Sequence, residues 1–424
     1  MKIFFTLILL LCFSLTSKTF ADTNSTKISS YNFHIECNGG NKLHIKAVLK
    51  IDKENNDNNL SLLTNKNSVY QNIKLIEGGN AIDIPFAETA DTLTLKLPPT
   101  LIRQKEIRVS FVYTFTFDSL YNGVRSFNSW YPYLWNNISK YKIISQTPAD
   151  YSLLFPGVTL KKKLKKGIEE NVSEMNKPIP RLFMVVAKTT SYRVDHSIIN
   201  GTKLTFCFYH KDEDILTGFK KESSAAFKFF NDYLGKYRYK SLTFIEIPDF
   251  SGVNSQPGFI MMGSMLMTLY RMHIYDWVPH EIAHQWFGSG TFSRHNDLKS
   301  WCVFEPLAEY LRLTCAARDS GNAYIKREIN DMIDEYKSDY LNKPEDKPLT
   351  ESGASRVTYI KGTYVMDYIQ QICGKQNWQL FLQRLYKNYK GRFLTYEGFL
   401  KCLNGINPKA SKKFIELTNT KGFP

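Results

Sequence analysis

Val278-Pro279-His280-Glu281-Ile282-Ala283-His284-Gln285-Trp286-Phe287-Gly288, followed after a spacer by Trp301-Cys302-Val303-Phe304-Glu305-Pro306-Leu307-Ala308-Glu309-Tyr310, is the stretch from which the rest of the chain is read. His280, Glu281 and His284 make an H-E-x-x-H pattern. On a helix, residues four apart share a face, so the two imidazoles converge on one point. Zinc takes N, O or S ligands at about 2.0–2.3 Å in a tetrahedron, and a catalytic site keeps one position for water. Two histidines supply half of that shell, and Glu281 is placed to serve as general base. The bland alternative is a chance pattern on a buried helix, a poor account of a motif this specific.

The wider order, with Asn296-Asp297-Leu298 and Trp301 between the histidines and Glu305-Pro306-Leu307-Ala308-Glu309-Tyr310, resembles the aminopeptidase N and leukotriene hydrolase family of zinc peptidases, the gluzincins. The resemblance implies one zinc per chain and a glutamate as third ligand. Strict family spacing falls on Val303, with Glu305 two residues later; the flanking Trp301 and Leu307-Ala308-Glu309-Tyr310 point to Glu305. Lys299-Ser300 and their neighbours then read as a two-residue expansion of the connecting loop. Glu309, one turn beyond, is either an acceptor that orients a ligand histidine or an ordinary exposed helix carboxylate.

Two further segments carry the resemblance. Tyr359-Ile360-Lys361-Gly362 is similar to the family's Tyr-x-Lys-Gly, which implies that the Tyr359 hydroxyl donates to the oxyanion of the tetrahedral intermediate. One fixed donor there is worth roughly 2.7–4 kcal/mol of barrier. A core aromatic at a helix start is the competing account of Tyr359. Gly252-Val253-Asn254-Ser255-Gln256-Pro257-Gly258 aligns with the family's Gly-x-Met-Glu-Asn segment, a cleft-lining strand whose glutamate binds the substrate's free α-amine. Gly252, Ser255 and Gln256 are therefore the candidate substrate-binding residues. The glutamate position holds the neutral Ser255 and the asparagine position holds Gln256. Losing a carboxylate partner for an ammonium weakens selectivity for free N-termini, unless another acid, Glu246 or Asp249 for example, takes its place.

Composition bounds the class. Residues 1–21 read as a signal peptide: Lys2, an apolar run from Ile3 to Leu15, and the small-residue site Thr19-Phe20-Ala21 before Asp22. No later run is long enough to span a membrane, so the mature chain is expected to be exported, periplasmic or secreted. The 424 residues carry 55 Lys and Arg against 40 Asp and Glu, a net +15. The densest run, Lys161 to Lys166, reads as a solvated loop or hairpin edge, because no nucleic-acid module accompanies it. Six of the seven cysteines (Cys37, Cys207, Cys302, Cys315, Cys373, Cys402) follow the leader, an even number that permits disulfides without assigning pairs.

Along the chain, 22–30 are polar and expected to fray. From about 31 to 205 a period of two appears, as in Leu43, Ile45, Ala47, Leu49 and Ile51, and again in Val109, Phe111, Tyr113, Phe115 and Phe117. Helical spacing begins at Phe219 and ends at Gly235. After Glu305 the pattern predicts helices near 304–317, 322–341, 360–373, 376–390 and 408–418. The fold class expected is α+β: a signal peptide (1–21), an antiparallel β-sandwich domain (22–207), then a thermolysin-like, mostly helical catalytic domain (208–424), without the C-terminal helical domain of many relatives. The function expected is an exported zinc metallopeptidase acting on peptides or proteins, aminopeptidase-like with an altered N-terminus anchor. A zinc endopeptidase, a peptidase for modified N-termini, or a catalytically weak zinc-binding scaffold are the rivals. No nucleic-acid partner is expected, and oligomeric state is left open.

Overall fold

The computed structural model describes residues 26–53, 57–101, 104–209, 211–272 and 276–423. The proposed leader, 1–21, lies outside the described residues.

Period-two alternation becomes a large sheet in the N-terminal half. Its strands are β1 (Lys27–Cys37), β2 (Lys42–Asp52), β3 (Ser68–Glu77), β4 (Asn80–Asp83), β5 (Glu106–Thr116), β6 (Lys140–Pro148), β7 (Val158–Lys165) and β8 (Ile168–Glu174). They lie in the order β7-β8-β6-β1-β2-β5-β3-β4, antiparallel except for the β1–β6 pair. Leu43, Ile45, Ala47, Leu49 and Ile51 point inward and are almost wholly buried. The intervening lysines of β2 face outward, as the pleat requires. Two three-stranded sheets, Asn59–Leu63 with Thr92–Lys96 and Phe86–Glu88, and Val124–Phe127 with Met184–Lys188 and Tyr151–Leu154, complete this β-rich half. Strand β1 begins at Lys27, inside the stretch expected to fray, because its backbone pairs with β2 from Lys27 onward.

The second half opens on a five-stranded sheet of β9 (Arg193–Ile199), β10 (Thr202–Phe208), β11 (Ser241–Ile247), β12 (Val253–Gln256) and β13 (Phe259–Gly263), ordered β9-β10-β11-β13-β12. Strand β10 pairs in parallel with β11, so this sheet runs continuously across residue 207. One face buries Phe206, Leu242, Phe244 and Ile260 in the main core with helix α1 (Glu213–Leu234). The opposite face buries Cys207, Ile245, Ile247 and Met261 against Val124, Phe183, Val185 and Ala187 of the N-terminal half. Being covered on both faces explains why β11 is buried along nearly its whole length and carries apolar residues on both sides, Leu242 and Phe244 on one and Ile245 and Ile247 on the other. It also makes the seam between the halves an apolar one.

Helices α2 (Val278–His284), α3 (Leu298–Ser320) and α4 (Arg356–Cys373) carry the motif residues. Asn322–Asp339, Lys375–Tyr389 and Pro408–Asn419 are helical within a few residues of expectation; Ser264–Arg271, Leu349–Ser352 and Tyr396–Asn404 are additional helices. The last was hidden by Gly398, a poor helix former that fits because a Cβ there would stand 2.7 Å from the Tyr389 hydroxyl. Lys299-Ser300 are not a loop expansion. Asp297 caps α3 by accepting from Ser300 N at 3.2 Å, so both residues are in the first helical turn. None of the six cysteines is in a disulfide; Cys302 is buried, its thiol 2.9 Å from the Lys299 carbonyl. No helix among the described residues is long and apolar enough to cross a membrane.

Candidate metal centre and active site

Helix α2 is short and starts with Pro279 in its first turn, where a missing N–H costs nothing. His280 and His284 are four apart on it and both buried. Their Nε2 atoms lie 3.1 Å apart. From α3, Glu305 Oε2 stands 3.4 Å from His280 Nε2 and 3.3 Å from His284 Nε2. Ligand atoms at tetrahedral corners about 2.05 Å from a zinc ion are about 3.3 Å from each other, which is this triangle. The three are the one set of metal-ligand type brought within reach of a common ion among the described residues. The donor set fits zinc, whose catalytic sites take three protein ligands.

Each histidine is oriented from behind. His280 Nδ1–H donates to Glu309 Oε2 at 2.8 Å, and His284 Nδ1–H donates to the Phe287 carbonyl at 3.0 Å, so each Nε2 points at the metal position. Glu309 is 3% exposed and is not the solvated helix carboxylate that its spacing also allowed. Its other oxygen accepts from Arg312 Nε and a terminal guanidinium nitrogen at 3.0 and 2.8 Å. Burial works against the Glu309 charge, but Arg312 and His280 hold its carboxyl well below the usual range. Burial also opposes a charge on His280, yet the bonds to Glu305 and Glu309 raise its pKa to about 10 in the metal-free protein. Burial pushes the Glu281 carboxyl up, against the pull of His280 and His284.

Tyr359 lies in the first turn of α4, its ring 5.8 Å from that of His280. Its placement depends on the glycine of the same motif. A Cβ on Gly362 would fall 2.2 Å from Pro306 Cγ, so α4 approaches α3 beside Glu305 as closely as only glycine permits. Lys361 does not enter the site. It is fully buried, and its ammonium donates to the Thr420 carbonyl, tying α4 to the C-terminal segment. Burial lowers its pKa to about 8, against the field of Asp346.

Ser255 lies on β12, the edge strand beside α2. Its hydroxyl donates to the Glu281 carbonyl at 3.0 Å and accepts from Gln285 Nε2 at 2.7 Å. Gln256 contributes its backbone carbonyl to Gln285 at 2.9 Å, and its side chain bonds to Asn254. Gly252, at the start of the segment, accepts from Gly263 N at 2.8 Å. Glu246 is wholly buried, accepting from Tyr209 N and Ser264 Oγ, while Asp249 pairs with Arg125 at 2.6 Å. Both alternative acids are thus engaged elsewhere. Sequence reasoning passed over Gln285, which also accepts from Tyr237 OH and Gly258 N and so pins α2 to the cleft strand. It passed over Arg312 as well. The signal for Gln285 was its place directly after the second histidine.

Residues 220–418 match the peptidase family M1 domain. No curated protein matches the chain. Among solved structures, a variant of an M1 zinc metallopeptidase from Deinococcus radiodurans with a bound Tyr-Ser-Ala substrate aligns with a TM-score of 0.76 at 15% identity, covering 94% of this chain and 95% of that one. The Deinococcus radiodurans M1 zinc metallopeptidase in another structure scores 0.75 at 15% identity, over 94% of each chain. A variant of a two-domain M1 zinc metallopeptidase bound to L-arginine scores 0.76 at the same identity, over 94% of this chain and 95% of that one. At that identity the likeness establishes the two-part fold.

Proposed function

We propose that this chain, of which residues 220–418 match the peptidase family M1 domain, is an exported, aminopeptidase-like zinc metallopeptidase whose hold on the substrate's N-terminus is altered at Ser255. His280, His284 and Glu305 would hold the ion. Zinc, when bound, supplies Lewis acidity at the scissile carbonyl and lowers the pKa of the attacking water. Glu281, next to the first ligand, takes the proton of that water and returns it to the leaving amine. Burial raises its carboxyl above the ordinary value, the direction that helps a general base. Tyr359, its ring stacked 5.8 Å from that of His280, donates to the developing oxyanion.

The observation that carries the reading is the triangle of His280, His284 and Glu305 with Glu281 and Tyr359 beside it. A purely structural zinc needs neither a base nor an oxyanion donor, which weighs against the scaffold reading. The engagement of Ser255 with α2, together with the engagement of Glu246 and Asp249, favours a second reading: cleavage that does not require a free α-amine. Cleavage mapping by mass spectrometry separates the two, using a peptide library with free and acetylated N-termini and a chelator control. Stepwise loss of single residues from free ends alone supports the aminopeptidase. Internal cuts, or cuts indifferent to acetylation, support the second reading. An uncut library with zinc bound overturns both. Export is tested by N-terminal sequencing of the secreted or periplasmic form, which is expected to begin at Asp22.

A further inference from the structure

The hairpin of β7 and β8 forms the edge of the eight-stranded sheet and carries Lys161, Lys162, Lys163 and Lys165 along its outer strand and Lys166 in its turn. Lys162 is neutralised by Glu169 at 2.7 Å. Lys163 stands opposite Glu170 in register, and the remaining lysines share the ribbon with three large aliphatic side chains that face solvent: Leu164 at 66%, Leu160 at 55% and Ile168 at 45% exposure. A two-stranded ribbon gains no stability from aliphatic groups in water, and lysine alone would protect an edge strand. Aliphatic and basic side chains interleaved along one exposed ribbon are complementary to a surface that is apolar inside and anionic outside.

The sheet behind the hairpin carries further basic residues among acidic ones, Lys50 being paired with Glu106 at 2.8 Å. Its outward face carries Lys42, Lys46, Lys140 and Lys142. On that face a hollow of about 180 Å³ is lined by Ser30, Asn32, Val48, Lys50 and Arg108. The root of the hairpin is held firmly. Gly157 has φ +110, and a Cβ there would stand 2.3 Å from the Glu174 carbonyl oxygen. Ser241 Oγ donates to the Gly157 carbonyl at 2.7 Å, and Gly258, in the turn after the cleft strand β12, lies against Met175 and Pro156. The root of the hairpin is therefore braced against the turn that follows the candidate substrate strand.

We propose that this hairpin docks the protein on an anionic phospholipid surface. Leu160, Leu164 and Ile168 enter the headgroup boundary, the lysines contact lipid phosphates, and the cleft is held near the membrane. The proposal goes beyond the peptidase reading and does not depend on it, since docking needs neither zinc nor Glu281.

The test is sedimentation of the protein beginning at Asp22 with vesicles of phosphatidylcholine, alone or with one-third phosphatidylglycerol. Binding to the anionic vesicles is expected, weakening as salt rises. Lys161→Gln/Lys163→Gln/Lys165→Gln should weaken it about a hundredfold, at about fivefold per lysine. Leu160→Ser/Leu164→Ser/Ile168→Ser should weaken it by about tenfold or more through lost insertion. Both variants should cleave soluble peptide as the parent does, which shows that they fold and keeps failure of docking distinct from failure of catalysis. Wild-type binding no stronger to anionic than to neutral vesicles overturns the proposal. So does full binding by the aliphatic variant, which would reduce the attraction to charge alone, without insertion of the hairpin.

Discussion

Replacing Glu309 with Gln removes one charge and keeps the side chain's shape. Glu309 serves two buried partners at once: one oxygen takes the His280 proton at 2.8 Å, the other takes two from Arg312 at 3.0 and 2.8 Å. A neutral amide oxygen cannot hold both equally. Either the imidazole loses the anion that orients it, or Arg312, 4% exposed, loses its counter-ion. Glu328, 3.9 Å from Arg312 and partly exposed, is too distant to replace it. Removing one partner of a buried pair costs about 3–5 kcal/mol. Removing the acceptor behind a ligating histidine lowers metal affinity about 10–100-fold, or about 1.4–2.7 kcal/mol. Glu309→Gln should therefore bind zinc 10–100-fold more weakly in competition with a chromophoric chelator, and its metal-free form should unfold at lower urea. If zinc affinity stayed within about threefold of wild type with an unchanged urea midpoint, the bond to His280 would be incidental and the argument wrong.

Glu281→Gln should keep its zinc, measured by metal content, while turnover falls by at least the roughly 10²–10⁴ that a general base contributes. Tyr359→Phe should retain zinc and KM but lose roughly a hundred- to a thousandfold in kcat; an unchanged kcat would return Tyr359 to the core. Gly362→Ala should destabilise the fold by about 1–3 kcal/mol through overpacking on Pro306, and should cost up to about a hundredfold in kcat/KM if α4 moves by about 1 Å. Glu222 provides a pH test. Burial and then the neighbouring Asp276 push its pKa to about 8 from an ordinary 4.5, so between those values the folded state holds a proton that the unfolded state has released. Stability should fall as pH rises through that window. Glu222→Gln, which keeps an acceptor for Tyr270 OH, should flatten the fall in a thermal-unfolding series from acid to alkaline pH.

Much of this protein was legible without a structure because its chemistry is local. The spacing of His280 and His284 on one helix presents two imidazoles together wherever that helix sits, and the alternation in β2 and β5 declares a half-buried strand before any partner is known. Glu305 could be assigned only by resemblance, since its distance to the histidines depends on where α3 begins, and that start is set by the Asp297 cap. Whether Glu309 faced water or His280 was open in the sequence, because one helical turn separates both outcomes equally; the packing of α3 on α2, with Arg312 behind it, decided it. The motif glycine acquires its meaning from Pro306, 56 residues away in the chain and 2.2 Å from the Cβ it lacks. Ser255 could be read as a missing carboxylate, but only the tertiary structure set its hydroxyl on the Glu281 carbonyl and linked it through Gln285 to α2. Periodicity and spacing are properties of one element, so the sequence determines them alone. Burial, hydrogen-bond partnership and close approach are properties of two elements at once, and only the folded chain brings both together.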